Sequence, residues 1–431
     1  MYIPNAVLEL MNRLEEAGYE CCCVGGCVRD WLMGTQPHDY DCCTAATPEE
    51  MQAIFAGRQL VLAGLKHGTV AVVTEGGPVE ITTFRTEGGY TDARHPDWVK
   101  FVRSLREDLA RRDFTVNAMA YSPRRGLCDP FGGQADLKKG ILRAVGEPNL
   151  RFREDALRIL RGLRFAARFG FQIEENTRRA MQEEIAGLDA LARERVMTEL
   201  DGFLRAAKAR DLLSAAEIVC RVIPELTPTV GFNQHSRHHI HDVFGHTAAV
   251  VEAAPAVTVL RLAALLHDIG KPAVFTMDET GEGHFFGHAA LSARLADDIL
   301  HRLKAPNALR EEVVWLVKHH MDRYPAEEKA ARRLLSRHGL ERMERLLELQ
   351  TADRGGSAED LEALRTLLRT LAEKEGSLTL KTLAVKGADL MALGFAPGPE
   401  LGRVLNALLE KVLSGELPNE REVLLHALSC K

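Results

Sequence analysis

Two kinds of hydrophobic pattern divide the chain. Before about residue 150, short β-type runs at 70–74, 79–84 and 99–102 alternate with turns, marked by Gly76-Gly77 and Gly88-Gly89. From about Arg151 onward apolar residues recur at helical spacing, as Leu157, Leu160, Leu163 and Ala167 do. Pro224, Pro228 and Gly231 break that pattern, and a His-rich helical stretch follows from about 235 to 353. Gly355-Gly356-Ser357 marks a hinge before a last helical region. The N-terminal 18 residues read as an amphipathic helix with interspersed acids, without the basic start and apolar run of a signal peptide. These patterns predict an N-terminal α/β part over 1–145 and three helical parts over 146–225, 226–355 and 356–431, hence an α+β chain.

Composition narrows the classes. The chain has 431 residues, 46% hydrophobic and 27% charged, which suits several globular domains. No stretch approaches the roughly 20 uninterrupted apolar residues of a membrane helix, so no membrane partner is expected. A net charge of −6 excludes a generic polyanion binder; any nucleic-acid surface must be a local basic patch. Six of the nine cysteines crowd positions 21, 22, 23, 27, 42 and 43, a poor disulfide or zinc framework. They read as small buried residues of a reducing, cytoplasmic environment.

Candidate chemistry begins at Gly25-Gly26-Cys27-Val28-Arg29-Asp30. Two glycines ahead of a helix let backbone approach a polyanion, and Arg29 adds charge. His38-Asp39-Tyr40-Asp41 follows, and in an extended strand Asp39 and Asp41 face one side. Adjacent carboxylates repel unless a cation lies between them, and Mg²⁺ takes such hard oxygens together with substrate phosphates. An isolated Asp-x-Asp is usually a solvated strand end; this one follows a phosphate-type turn. Glu80, interrupting an apolar run, is the candidate third carboxylate.

These motifs, in this order, resemble the head of class II CCA-adding enzymes and bacterial poly(A) polymerases, which are DNA polymerase β-like nucleotidyltransferases. The resemblance continues through Arg111-Arg112-Asp113-Phe114-Thr115-Val116-Asn117, similar to the family's ribose-reading motif. It extends through Asp129-Pro130-Phe131-Gly132-Gly133, through Glu154-Asp155-Ala156-Leu157-Arg158, similar to the base-selecting motif, and through Glu194-Arg195 with Glu199. It implies a mixed-sheet head, a helical neck, a helical body and a helical tail that contacts tRNA. Implied roles are Mg²⁺ on Asp39, Asp41 and Glu80; triphosphate at Gly25, Gly26 and Arg29; ribose at Arg112, Asp113 and Asn117; and base or phosphates at Asp155, Arg158, Arg161 and Arg164. Implied partners are tRNA, ATP and CTP, with no DNA. Residues 90–97 resemble the loop needed to add the final A, with His95 where the family has a second Arg.

Base choice has its own physical rationale. Asp155 and Arg158, three residues apart, share a face if one helix carries both. Cytosine and adenine each present an amino donor beside a ring-nitrogen acceptor; uracil and guanine present the reverse. An ionised Asp only accepts and an Arg only donates, so the pair suits C or A and leaves U or G unpaired.

Further on, apolar Leu262-Ala263-Ala264-Leu265-Leu266 runs into His267-Asp268. This resembles the signature of HD-superfamily phosphohydrolases. His246, His288, His319 or His320, and Asp353 are candidate co-ligands. Imidazole with carboxylate suits Mn, Ni, Co or Fe, and a cation there would activate water toward a phosphoester. His235, His238, His239 and His241 are also near and cannot all be ligands. Near the C-terminus, Gly394 and Gly398 fit helix caps better than phosphate contacts. Three readings therefore compete: CCA addition, poly(A) or A-only addition by the same machinery, and a metal-dependent phosphohydrolase with a nucleotide-sensing head.

Overall fold

The computed structural model describes residues 1–88, 98–235, 241–356, 358–376 and 378–429. The candidate loop 90–97, His238 and His239 lie outside the described residues. The chain forms two compact units: Met1–Thr227 with Arg302–Ala305, and Pro228–His301 with Pro306–Lys431.

The first unit opens with α1 (Asn5–Glu16), which buries Val7, Leu10, Met11 and Leu14 at spacings of three and four. The strands that follow are β1 (Cys21–Val24), β2 (Cys42–Thr44), β3 (Leu60–Val61), β4 (Thr69–Thr74) and β5 (Gly77–Thr83). The hairpin strands β6 (Arg85–Gly88) and β7 (Trp98–Phe101) come next, then β8 (Ala120–Ser122) and β9 (Gly126–Cys128). Seven of them make one mixed sheet in the order β3-β4-β5-β2-β1-β8-β9. Its pairs are antiparallel except β2 with β5, where Cys42 lies opposite Ile81.

The cysteine run fills both sides of that sheet. Cys21, Cys23 and Cys42 pack with Val70, Val72 and Ile81 in one core. Cys22, Val24 and Cys43 pack with Phe84, Leu105 and Leu109 in the other. Alternating pleats require small apolar side chains on both faces where a central strand is covered twice.

Helices α2 (Gly26–Leu32), α3 (Pro48–Ile54), α4 (Leu105–Ala110) and α5 (Gly133–Lys139) cover the sheet. Thr47 and Glu50 form a reciprocal capping box at α3. Beyond them lie α6 (Pro148–Glu154), α7 (Leu157–Phe169), α8 (Glu175–Glu183), α9 (Arg193–Ala206), α10 (Ala209–Ser214) and α11 (Ala216–Val222). Helices α7 and α9 pack closely: Gly202 leaves room for the Arg164 stem, where a Cβ would overlap its Cδ.

The second unit is helical: α12 (Val243–Ala253), α13 (Thr258–Leu266), α14 (His288–Arg302), α15 (Asn307–His319), α16 (Glu328–His338), α17 (Leu340–Asp353) and α18 (Glu359–Glu375). Every residue of α13 from Val259 to Leu266 is buried. The predicted break after α17 is present, with Gly355 and Gly356 at φ 71° and 90°. The remaining helices, α19 (Gly387–Ala392), α20 (Pro399–Leu413) and α21 (Arg421–Ser429), close over a small core of Leu383, Val385, Leu390, Leu408 and Leu424. Gly394, at φ 94°, donates its N–H to the Met391 carbonyl and so ends α19. Among the described residues no helix is long and apolar enough to cross a membrane.

Candidate active site and candidate metal centre

Asp39 and Asp41 lie in the segment leading into β2, just outside the strand. The Val24 N–H donates to the Asp41 carbonyl at 3.0 Å, so Asp41 continues the ladder. Because Cys42 pairs with Ile81 in parallel, Asp41 falls beside Glu80, with both side chains on the face opposite Cys42 and Ile81. Burial pushes the Asp41 carboxyl up; Glu80 and Asp39 add to this and Arg112 opposes it. An exposed acid crowded by two others matches the hard-oxygen donor set of a divalent cation.

The glycine turn stands next to these acids. Gly25 adopts φ 76°, ψ −126°, a conformation open to glycine, and a Cβ there would lie 3.0 Å from Arg112 Nη1. Its N–H donates to the Met119 carbonyl at 3.1 Å. Gly26 begins α2, so the backbone approaches the site bare of side chains. Arg112 follows α4 and contacts Asp108 at 3.4 Å, while its Nε has no partner.

Arg29, expected at a triphosphate, points inward and is 5% exposed. It donates to Asn117 Oδ1 at 2.6 Å and twice to Asp30 Oδ1 at 2.9 and 2.7 Å. Its guanidinium lies 4.6 Å from the Phe169 ring centre and 5.5 Å from that of Phe165. Asn117 Nδ2 donates to Asp113 Oδ1 at 3.1 Å. Arg161 grips Asp113 Oδ2 through Nε at 3.0 Å and Nη2 at 2.8 Å. Arg164 Nε donates to Glu199 at 2.6 Å, and Arg161 lies 3.9 Å from the same carboxylate. One chain of charge-assisted hydrogen bonds thus runs from Asp30 to Arg161, and a longer ion pair continues it to Glu199. Burial works to raise the Asp113 carboxyl, but Arg161 and Asn117 outweigh it and hold it below the ordinary range.

One geometric expectation needs correcting. Asp155 and Arg158 do not share a helix: α6 ends at Glu154, Asp155 is extended at φ −146°, ψ 100°, and α7 starts at Leu157. Asp155 Oδ1 accepts from the Leu157 N–H at 3.0 Å and Oδ2 from Arg195 at 3.3 Å. Arg158 is buried and reaches Glu154 at 2.9 Å and the carbonyls of Arg151 and Arg111 at 3.1 and 3.0 Å. Sequence reasoning also missed Asp108, fully buried under Arg111 at 2.8 Å and Arg112. It missed the Phe165 and Phe169 shelf too, although their spacing of four on a basic helix was a usable signal.

The second unit gathers His246, His267, Asp268, His288, His320 and Asp353. Two three-residue sets, His246-His267-Asp268 and Asp268-His288-His320, each have donor atoms within 4.8 Å of one another, and Asp268 belongs to both. The Nδ1 atoms of His267, His288 and His320 lie 2.8, 2.8 and 2.7 Å from the carbonyls of Ala264, Phe285 and Val317. An Nδ1–H donated there leaves each Nε2 facing inward as a lone pair, the usual support for metal-binding imidazole. Asp353 Oδ1 is 2.8 Å from His246 Nε2 and 3.4 Å from His267 Nε2. Asp268 Oδ2 is buried without a well-aligned hydrogen bond, although Lys271 Nζ stands 2.6 Å away. Burial opposes charge on His267, yet Asp268 and Asp353 push it up to about 10. A cluster that draws a proton this strongly suits a cation in its place. Of His319 and His320, it is His320 that lies in the cluster; His319 turns to Asp322 at 2.6 Å and lies tilted against Trp315. Among the described residues His235 and His241 stand apart from both sets.

Residues 21–143 match the poly A polymerase head domain and residues 285–428 the second domain of tRNA nucleotidyltransferases. The chain is 35% identical to a CCA-adding enzyme of Streptococcus thermophilus, over 98% of this chain and 96% of that one. It is 38% identical to an A-adding tRNA nucleotidyltransferase of Deinococcus radiodurans, over 93% of each chain. The crystal structure of the Bacillus stearothermophilus CCA-adding enzyme in complex with CTP superimposes with a TM-score of 0.75 at 30% identity, over 100% of this chain and 98% of that one. With its mixed-sheet head, helical neck and full-length similarity, the chain belongs to the family of CCA-adding enzymes and related tRNA nucleotidyltransferases.

Proposed function

We propose that this chain adds nucleotides to the 3′ end of tRNA without a nucleic-acid template, using CTP and ATP to complete CCA. The observation that carries the reading is the set of Asp41, Glu80 and Arg112 gathered at the Gly25 turn. The tRNA 3′-hydroxyl attacks the α-phosphorus of the incoming nucleotide, its proton is lost to solvent, and pyrophosphate leaves. Asp39, Asp41 and Glu80 would hold Mg²⁺, which would supply Lewis-acid stabilisation of the charge that develops on the reacting oxygens. The backbone at Gly25 and Gly26 lets the triphosphate approach, and Arg112 with its unsatisfied Nε faces it. Arg29 and Asn117 act from beneath, fixing Asp113 and through it Arg161. Asp155 accepts from, and Arg158 donates to, the pairing edge of C or A. Residues 1–145 are the head, 146–225 the neck, 226–355 the body and 356–431 a tail against tRNA.

The test is incorporation into tRNA trimmed of its last three nucleotides. Growth by two residues with CTP and by a third on adding ATP is the expected result. A long ladder with ATP alone indicates poly(A) synthesis, and extension only of tRNA ending in CC indicates A-only addition. Asp41→Asn should abolish incorporation; unchanged extension would remove Asp41 from the chemistry.

The His-Asp centre favours a second reading, phosphoester hydrolysis assisted by a Mn, Ni, Co or Fe cation. Inward Nε2 atoms on three backbone-braced imidazoles support it. Metal analysis of the purified protein tests it: Asp268→Asn should lose cation from this centre, and equal content in both proteins would exclude it.

A further inference from the structure

Four phenylalanine rings form a rail along α7. Phe114 meets Phe165 edge-on, with centroids 6.1 Å apart and planes at 86°. Phe165 stacks on Phe169 at 6.0 Å and 16°, and Phe169 leans on Phe171 at 5.5 Å and 35°. Phe165 is buried; Phe169, the last residue of α7, is half-buried. Gly170 follows at φ 68°, so the chain turns back and brings Phe171 against Phe169. Arg29 of α2 lies over this rail, 4.6 Å from the Phe169 centroid and 5.5 Å from that of Phe165.

The rings supply a restraint that the hydrogen bonds of Arg29 do not. A guanidinium is planar and its N–H groups point outward in that plane. Arg29 donates to Asn117 Oδ1 at 2.6 Å and to Asp30 Oδ1 at 2.9 and 2.7 Å. These bonds resist movement within the plane and oppose tilt out of it weakly. Contact with a ring face opposes tilt, and a desolvated cation gains most from such contact. Arg29 is buried whereas Arg168, the other cation over Phe169, is exposed, so Arg29 gains more from that ring.

The tilt matters because Asn117 depends on it. Arg29 only donates, so Asn117 turns Oδ1 toward it; Nδ2 then faces Asp113 Oδ1, 3.1 Å away, a carboxylate that only accepts. Arg161 holds the other Asp113 oxygen. Arg161 and Arg164 in turn lie 5.3 and 4.5 Å from the Phe165 centroid, so one rail underlies both ends of this polar chain.

We propose that Phe169 is a positioning residue for sugar selection: by stacking on Arg29 it fixes the Asn117 amide and the Asp113 carboxylate, and so sets the preference for a ribonucleotide over a 2′-deoxyribonucleotide. The inference rests on the nucleotidyl-transfer reading, with Asp113 and Asn117 as the residues that meet the ribose. A 2′-hydroxyl both donates and accepts. An amide and a carboxylate held in one orientation answer it in one geometry, whereas a pair free to turn accommodates either sugar.

The test is steady-state incorporation by the full chain with Mg²⁺ and trimmed tRNA, with CTP and dCTP as the probes. Phe169→Leu keeps apolar volume but removes the ring face. It should raise KM for CTP, leave kcat little changed, and lower the preference for CTP over dCTP in kcat/KM about tenfold. Phe169→Tyr keeps the face and should keep the preference. A merely structural role would lower the melting temperature and leave the preference untouched. A wild-type preference in Phe169→Leu overturns the proposal, and so does its loss in Phe169→Tyr. Phe169→Met carries the same comparison if the Leu protein does not fold. Asn117→Ala isolates the underlying reading: if it selects the ribose as wild type does, the ribose role itself fails. If it loses selection while Phe169→Leu retains it, only the positioning role falls. Wild-type protein that uses CTP and dCTP alike overturns both.

Discussion

Replacing Asp113 by Asn tests whether the polar chain beneath the head site is held by charge. The carboxylate accepts four hydrogen bonds, from the Phe114 N–H at 2.8 Å, Asn117 at 3.1 Å and Arg161 at 3.0 and 2.8 Å. An amide has one oxygen. Whichever way it turns, its NH₂ faces donors and two of the four bonds are lost. Bonds to charged groups contribute about 1.5–3 kcal/mol each, and removing one partner of a buried pair costs about 3–5 kcal/mol. Arg161 keeps about a third of its side chain in solvent, which recovers part of its hydration. We expect a loss of roughly 2–4 kcal/mol. Hydrogen exchange of the α7 amides, read by mass spectrometry, should then accelerate roughly 30- to 700-fold where exchange follows opening of this unit. Incorporation should show a raised KM for CTP, because Asp113 no longer holds Arg161 in place. Exchange of α7 within a factor of two of wild type would refute the charge argument, since no solvent rearrangement restores two bonds to a buried amide.

Other outcomes follow from the packing and charges of the first unit. Gly133→Ala should cost about 3 kcal/mol or more, because a Cβ there overlaps the Thr115 backbone carbonyl; Gly162→Ala meets the movable tip of Met181 and, at 3.1 Å, the edge of the buried Phe114 ring, and should cost less, about 1–2 kcal/mol, a contrast readable in thermal melts. Asp108 and Asp113 are both held below the ordinary carboxylate range, burial being outweighed by Arg111 and Arg112 for one and by Arg161 for the other. Their stabilisation is therefore complete above about pH 4 and lost as pH falls through the folded values, and stability that rose on acidification below pH 4 would contradict the pairing. A thiol reagent should reach half-buried Cys128 and Cys220 before the buried set from Cys21 to Cys43, where burial pushes Cys22 up to about 12; early labelling of Cys22 or Cys43 would show that the sheet opens.

Local features were the legible ones. The Gly25 turn, the Asp39/Asp41 spacing and the His267-Asp268 helix end each depend on residues close in sequence, where the chemistry of the pattern is self-contained. The α/β division and the helical body followed from periodicity, as did strands near 70–74 and 79–84. Periodicity also misled at Asp155: Leu157, Leu160 and Leu163 keep helical spacing right up to the break, and neither Gly nor Pro marks it, so the kink left no trace. Arg29 was read outward because its acceptor, Asn117, stands 88 positions away. Burial of a guanidinium cannot be inferred without knowing where that acceptor lands. The choice between His319 and His320 turned on which imidazole had a backbone carbonyl behind it, a matter of helix phase beyond residue type.

The parallel pairing of β2 with β5 has a consequence for how the protein comes to be. Asp41 and Glu80 meet only through the Cys42–Ile81 register, and the β3 and β4 excursion must be complete before that register forms. Such a non-local pairing is slow, because loop closure precedes any reward from contact. A ribosome-bound chain that has emerged only through β2 therefore carries the glycine turn and Asp41 but no assembled acid cluster. A single-residue insertion within β5 ahead of Ile81 would let the strand form yet deliver its carboxylate to the opposite face. Length variation is accordingly tolerable in the turns of this excursion and intolerable within the strand that ends it, a constraint on how the gene can change as well as on how the chain folds.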